Sequence, residues 1–323
     1  MKNNYTGWVL LFFVLTCACD SKESQNPLEA ILASEDPRIQ SVMNNPEDYE
    51  VQIRYTRINQ TEDSIQLVDY DYGVDDQQYF YPASTVKFPV ALLALEWLNT
   101  QKEIDRDDSL QVAGDSLRTT IGNEVIKVFA VSDNDAYNRL FELLGQDYIN
   151  SALQAKGIEP MRISHRFAGS SSYDLTTKPI TVFKANGDSL VLPTTQNQPA
   201  QALELEGIFK GKGYMANDTL VSSPFDCTQR NYYPISAQTA VLQRVIFPEL
   251  YPENQRFHLT LDQRSFILSA MSNLPGEVGY DQEEYYDSYV KFLLYGDTQA
   301  PMPKFIDIFN KVGQAYGTLT DCA

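Results

Sequence analysis

Histidine is almost missing from this chain of 323 residues: His165 and His258 stand 93 positions apart, in unlike contexts. No C-x-x-C or H-x-H pair accompanies them, so the ligand spacing of a zinc hydrolase is lacking. The G-x-S-x-G elbow of one large class of Ser-His-Asp enzymes is also missing. Basic residues are few, 25 Lys and Arg against 43 Asp and Glu, and the formal net charge is −18. That balance argues against nucleic acid, and against an anionic membrane surface, as electrostatic partners. Long apolar runs are lacking too, since Trp8 to Leu15 is too short to cross a bilayer as a stable helix. What the chain does have is a hydrophobic content of 43%, enough to bury the core of one large two-lobed domain.

Lys2, the short apolar run and Thr16-Cys17-Ala18-Cys19 resemble a bacterial lipoprotein signal, in which Cys19 becomes the lipidated first residue after cleavage. The expected organisation is a signal peptide over 1–18, a polar tether over 19–34 and a single catalytic domain over 35–323. The protein is then exported and held to a membrane of the cell envelope through lipid on Cys19. Of the four cysteines only Cys227 and Cys322 belong to the mature fold; free thiols are expected, with a disulfide between them left open.

The most informative residues are Ser84-Thr85-Val86-Lys87, which run straight into the apolar stretch Phe88 to Leu98. Residues three apart share one face of a helix, so a Lys87 amine stands beside a Ser84 hydroxyl. A lysine held there, partly desolvated and near another cation, loses its proton near neutral pH and serves as the base that a lone serine lacks. Ser288-Tyr289-Val290-Lys291 fits the same expression. Only Ser84 is followed at a distance by suitable partners, Ser132-Asp133-Asn134 and Lys311-Val312-Gly313. Ser132 or Asp133 also reads as the cap of a helix that closes at Gly145. Phe305 to Asn310 alternates as a strand leading into Lys311, and Gly313 permits close backbone approach.

Three motifs in the order S-x-x-K, S-D-N, K-x-G resemble the serine β-lactamase and penicillin-binding-protein superfamily, most closely its class A β-lactamase-like branch. The resemblance implies an α+β fold in which a helical lobe packs on an antiparallel sheet with the active site in the cleft between. It implies no cofactor. Ser84 would attack a carbonyl, Lys87 take its proton and Ser132 relay a proton to the leaving nitrogen. Asn134 would hold the substrate amide, Lys311 would place positive charge in the cleft, and the N–H groups of Ser84 and Gln314 would form the oxyanion hole beside Gly313. The implied partner is a small β-lactam or a peptide amide.

Three departures bear on that expectation. The segment Arg162 to Leu175, where the class A pattern carries a glutamate that activates the deacylating water, has none; Asp174 is the only carboxylate within it, and Glu204 and Glu206 are further candidates. Val312 replaces the usual hydroxyl residue of the third motif. The chain stops ten residues past Gly313, so C-terminal strands and a helix are expected to be lacking and the motif strand to be a bare edge. A penicillin-binding or D-alanyl peptidase activity, an inactive ligand-binding lipoprotein and a small-substrate esterase therefore stand as alternatives. Among the remaining elements, the pattern predicts a helix over Asp36 to Asn44, strands over Glu50 to Ile58 and Ile65 to Tyr72, and an amphipathic helix over Leu117 to Ala130. A hairpin around Asn186-Gly187 and the Tyr-rich stretch Asp281 to Asp297 read as insertions near the cleft.

Overall fold

The computed structural model describes residues 26–168, 172–216 and 218–323. Two compact units divide after Val51. In the first, Asn26 caps helix α1 (Pro27–Leu32) and Asp36 caps α2 (Pro37–Met43). Each helix has proline in its first turn, where the missing N–H has no acceptor to lose. The helix expected from Asp36 to Asn44 is therefore present, with those two residues as its caps. Helix α1 falls within the stretch read as a tether. Cys19 and the stretch read as a signal peptide lie outside the described residues.

The second unit opens with β1 (Ile53–Gln60) and β2 (Ile65–Tyr72), antiparallel from Ile53 opposite Tyr72 to Gln60 opposite Ile65. A 3-10 turn, Ala83–Val86, carries Ser84 into α3 (Lys87–Leu98). Every side chain from Phe88 to Leu95 is buried. A helix apolar on all faces can only sit at the centre of a fold, and each Leu, Val or Phe buried there contributes about 1.5–3 kcal/mol over leaving it exposed. Two short strands, β3 (Ser109–Val112) and β4 (Thr119–Thr120), precede α4 (Ile121–Ala130), α5 (Asn134–Leu144) and α6 (Gln146–Ala155). Helices α4, α5 and α6 pack on α3, α4 and α5 also against each other. Ile121, Val125, Val128 and Phe129 face this core from α4, and Tyr137, Leu140, Phe141 and Leu144 from α5.

After them come β5 (Ile180–Phe183), β6 (Ser189–Leu192), β7 (Phe209–Lys210), β8 (Tyr214–Ala216), β9 (Thr219–Val221) and β10 (Phe225–Asp226). Helices α7 (Ile235–Ile246), α8 (Leu261–Ser272) and α9 (Phe292–Tyr295) follow, then β11 (Lys311–Ala315) and β12 (Thr318–Cys322). The fold is α+β, and its paired strands are antiparallel. Among the described residues no helix is long and apolar enough to cross a membrane. Cys227 and Cys322 are free thiols.

Several expectations are corrected. The single antiparallel sheet is divided among the described residues: β1–β2 and β11–β12 are separate ladders, both packed on α7, and a four-stranded sheet runs in the order β4-β3-β5-β6. The hairpin around Gly187 forms as read, but it completes that four-stranded sheet instead of reaching the cleft. The helix predicted from Leu117 begins at Ile121, because Thr119 and Thr120 pair with β3 and the Thr120 hydroxyl then accepts from Asn123 N–H as the cap. Phe305 to Asn310 is irregular, and the strand starts only at Lys311. In that segment the Ile308 carbonyl and the Asn310 side chain accept from the buried Lys291 ammonium rather than from a neighbouring strand. The motif strand is not bare, since β12 pairs with it from Lys311 opposite Cys322 to Ala315 opposite Thr318.

Candidate active site

Ser84 sits near the start of its 3-10 turn, where N–H groups have no internal acceptor. Ala83 before it is in the left-handed region, φ 46°, a conformation that costs a non-glycine residue about 1–3 kcal/mol and is kept only when its surroundings impose it. The surroundings here are Thr85, whose N–H and hydroxyl both donate to the Pro82 carbonyl (3.1 and 2.7 Å), and β11, pressed against the same turn. A Cβ at Gly313 would lie 2.7 Å from the Pro82 oxygen and 3.1 Å from the Ser84 nitrogen. Glycine is required there by close approach.

Lys87 follows one turn on and is fully buried. Its ammonium donates to the Ser132 carbonyl and to Asn134 Oδ1 (2.7 Å), with the Ser132 hydroxyl at 3.4 Å. Ser132 joins α4 to α5 with φ 58°, again left-handed, while Asp133 caps α5 by accepting from Ala136 N–H at 2.8 Å. Lys311, buried at the first position of β11, donates to the Ser132 hydroxyl at 2.8 Å and to the Val312 carbonyl at 2.8 Å. Two lysines thus converge on one serine.

Burial pushes the Lys87 amine down to about 7, against the pull of Asp133 and Asp135 in the other direction. Lys311 is driven well below the ordinary lysine range, first by burial and then by the positive charge of Lys87. A neutral Lys87 has two N–H bonds for the Ser132 carbonyl and Asn134, and its lone pair is left over for a proton.

Ser84, Ser132, Asn134, Val312 and Gln314 line a single cleft of about 730 Å³. The ladder β11–β12 sets Gln314 opposite Leu319 on the strand that abuts the serine turn. Residues 36–188 match the model of the beta-lactamase enzyme family. Over that stretch, a little under half of its length, the chain is similar to that family. No curated protein matches it. Solved structures it is similar to include a β-lactamase from Sphaerobacter thermophilus, 15% identical, covering 79% of this chain and 71% of that one with a TM-score of 0.44. A class A β-lactamase representative from Bacteroides cellulosilyticus is 14% identical over 86% and 75% with a TM-score of 0.46. The chromosome-encoded β-lactamase of Vibrio parahaemolyticus is 12% identical over 86% and 80% with a TM-score of 0.45.

The second S-x-x-K is a different kind of element. Ser288 is buried and donates to the Thr298 carbonyl. Lys291 donates to the Met271 carbonyl, the Ile308 carbonyl and Asn310 Oδ1 at 2.6, 2.9 and 2.8 Å. Neither lysine nor serine of that pair lines the cleft, although Tyr286, Tyr289 and Phe292 around them do.

Among the described residues lining the cleft there is no carboxylate. Asp174, Glu204 and Glu206 are exposed and lie outside it. The lining instead contains two groups that the sequence reading passed over. Arg230 lies over the Phe225 ring at 4.5 Å and near the Tyr173 and Tyr316 rings at 5.5 and 5.9 Å. His165 is buried, with Nδ1 2.8 Å from the Arg166 carbonyl and Nε2 buried without a protein partner. Burial pushes this imidazole down to about 4, with the charges of Arg230 and Arg162 acting the same way. The signal for His165 was available, because it falls within the Arg162 to Leu175 segment, which was read for carboxylates alone.

Proposed function

We propose that this protein is an exported serine acyl-hydrolase of the β-lactamase type, acting on an amide or β-lactam carbonyl and held to the cell envelope through lipid on Cys19. The observation that carries the reading is the convergence of Lys87 and Lys311 on the Ser132 hydroxyl beside the cleft that Ser84 lines. Neutral Lys87 takes the Ser84 proton as Oγ attacks the carbonyl carbon. Lys311, donating to Ser132, leaves the hydroxyl hydrogen of that serine free to pass to the leaving nitrogen. Asn134 holds the substrate amide, and the N–H groups of Ser84 and Gln314 receive the oxyanion, each such donor being worth about 3 kcal/mol of barrier. Val312 brings no hydroxyl to a substrate carboxylate, and the Arg230 guanidinium at the cleft supplies the charge in its place.

A second reading, penicillin-binding or D-alanyl peptidase activity on cell-wall peptides, is favoured by one observation, the lack of a carboxylate among the described cleft residues. Intact-protein mass spectrometry with a penicillin separates the readings. An adduct on Ser84 that decays supports the hydrolase, and one that persists supports the peptidase. No adduct on folded protein, or an adduct that survives Ser84→Ala, would overturn the assignment of Ser84.

A further inference from the structure

Around the buried Lys291 runs a second spacing of three, Tyr286, Tyr289 and Phe292. A 3-10 turn covers Asp287–Val290 and α9 begins at Phe292. Side chains three apart in such a turn stack on one face, and the chain here shows two faces of different use. Val290 and Lys291 are buried. Tyr286, Tyr289 and Phe292 are half-buried and line the cleft that Ser84 lines.

The buried face is fastened to the motif strand. Lys291 donates to Asn310 Oδ1 at 2.8 Å, and Asn310 Nδ2 donates to the Val290 carbonyl at 2.8 Å and to the two Asp321 carboxylate oxygens at 2.8 and 3.0 Å. Asp321 also accepts from the Leu293 N–H, the residue after Phe292, at 3.2 Å. Asn310 directly precedes Lys311 at the head of β11, and Asp321 lies opposite Val312 in the β11–β12 ladder. At Gly313 the same strand closes on the Ser84 nitrogen. The three rings and the serine turn are therefore held to one strand, β11.

Acyl transfer itself has no use for aromatic rings at that place. Tyr289 is braced edge to face by Tyr285 at 5.0 Å and by Tyr286 at 5.8 Å. Half-buried rings that are fixed in this way and open to a cleft lack the cover of a core ring, and they offer an apolar ligand group a surface that loses little freedom on binding.

We infer that Tyr286, Tyr289 and Phe292 form the subsite for the substituent on the acyl half of the substrate, the half that Ser84 retains, and that this substituent is an aryl or large apolar group. The inference deepens the acyl-enzyme reading at Ser84 and rests on it. With a carboxylate at Arg230, the substrate class becomes an amide or lactam with an aromatic acyl half and an acidic amine half.

The test uses two penicillins that differ only in one phenyl ring, carrying a phenylacetyl or an acetyl group on the same amine, and reads the rate of Ser84 acylation by intact-protein mass spectrometry. The wild-type chain is expected to favour the phenyl-bearing probe by at least about 10-fold, the usual worth of a small apolar group in a fitted pocket. Tyr289→Ala and Phe292→Ala should each lower that ratio by about 3- to 10-fold, the worth of one aromatic pair, and Tyr289→Phe should keep it. Labelling by the acetyl probe reports that a variant is folded, and for one that labels with neither probe the wild-type ratio decides. A wild-type ratio near 1 overturns the inference. So does a ratio that both alanine variants retain, since both rates then fall together as a purely structural role requires, or a ratio lost in Tyr289→Phe, which would make the hydroxyl the contact. No adduct on Ser84 from either probe in the wild type overturns the acyl-enzyme reading itself, and the inference with it.

Discussion

The Lys311 ammonium donates to the Ser132 hydroxyl at 2.8 Å across 179 positions of sequence. This bond ties the head of β11 to the junction of α4 and α5, and it fixes which way the serine hydroxyl can donate. Ser132→Ala should lower the acylation rate by about 10²–10⁴, the usual contribution of a proton-transfer group. It also takes the Ser132 acceptor from Lys311 and leaves it the Val312 carbonyl, so a stability loss of about 1–3 kcal/mol is expected by denaturant titration. An unchanged acylation rate would remove Ser132 from the relay.

Lys87 titrates near 7 in the folded protein and at about 10.5 when unfolded. Acylation needs the neutral amine, so its rate should fall tenfold per pH unit below 7 and level off above it. The stability consequence has the opposite origin. Between pH 7 and 10.5 the unfolded chain holds one more proton at this site than the folded one, so wild-type stability gains with rising pH, by up to about 1.4 kcal/mol per unit. Lys87→Met lacks that gain. Its stability relative to wild type should therefore decline across the same window, and parallel curves for the two proteins would refute a depressed Lys87.

At Gly313 an added methyl meets backbone on two sides, the Pro82 oxygen at 2.7 Å and the Ser84 nitrogen at 3.1 Å. Backbone cannot swing aside as a side chain does. Gly313→Ala should cost about 1–3 kcal/mol of stability through overpacking, and should slow acylation because the displaced turn carries Ser84, the proposed nucleophile. A variant with wild-type melting and labelling would show that β11 and the serine turn are looser than this contact implies.

Ser288→Ala should leave penicillin labelling intact, in contrast to Ser84→Ala. Lys291→Ala should instead destabilise the C-terminal region, since it removes the donor shared by the Met271 and Ile308 carbonyls and Asn310; about 1–3 kcal/mol is lost for a buried acceptor left without its donor. Loss of labelling in Ser288→Ala with the fold retained would transfer the nucleophile to the wrong motif.

Much of the helical half was legible in the chain. The apolar stretch from Phe88 to Leu98, interrupted by Glu96, pointed to a helix, and the Asp133 cap with Gly145 at φ 76° bounded the next motif helix where the residues suggested. The hairpin at Gly187 was equally plain, because Asn-Gly strongly favours one tight turn. The β-rich remainder was harder. Strands of two to five residues such as β3, β4 and β7 carry too little periodicity to register, and whether ladders join into one sheet depends on partners remote in sequence.

The sequence alone determined the chemistry on offer: a serine three residues before a lysine at a helix start, a capped Ser-Asp-Asn and a Lys-x-Gly, each local enough for spacing and backbone rules to apply. The order of the motifs favoured Ser84 over the second S-x-x-K; only the tertiary structure shows that Lys291 is buried among three acceptors while Lys87 and Lys311 converge on Ser132. It also placed His165, and no acidic residue among the described ones, in the cleft lining, with His165 Nε2 buried and without a protein partner. The reason is physical: desolvation, like-charge proximity and an unmet hydrogen bond belong to groups brought together by packing, and no stretch of chain carries them by itself.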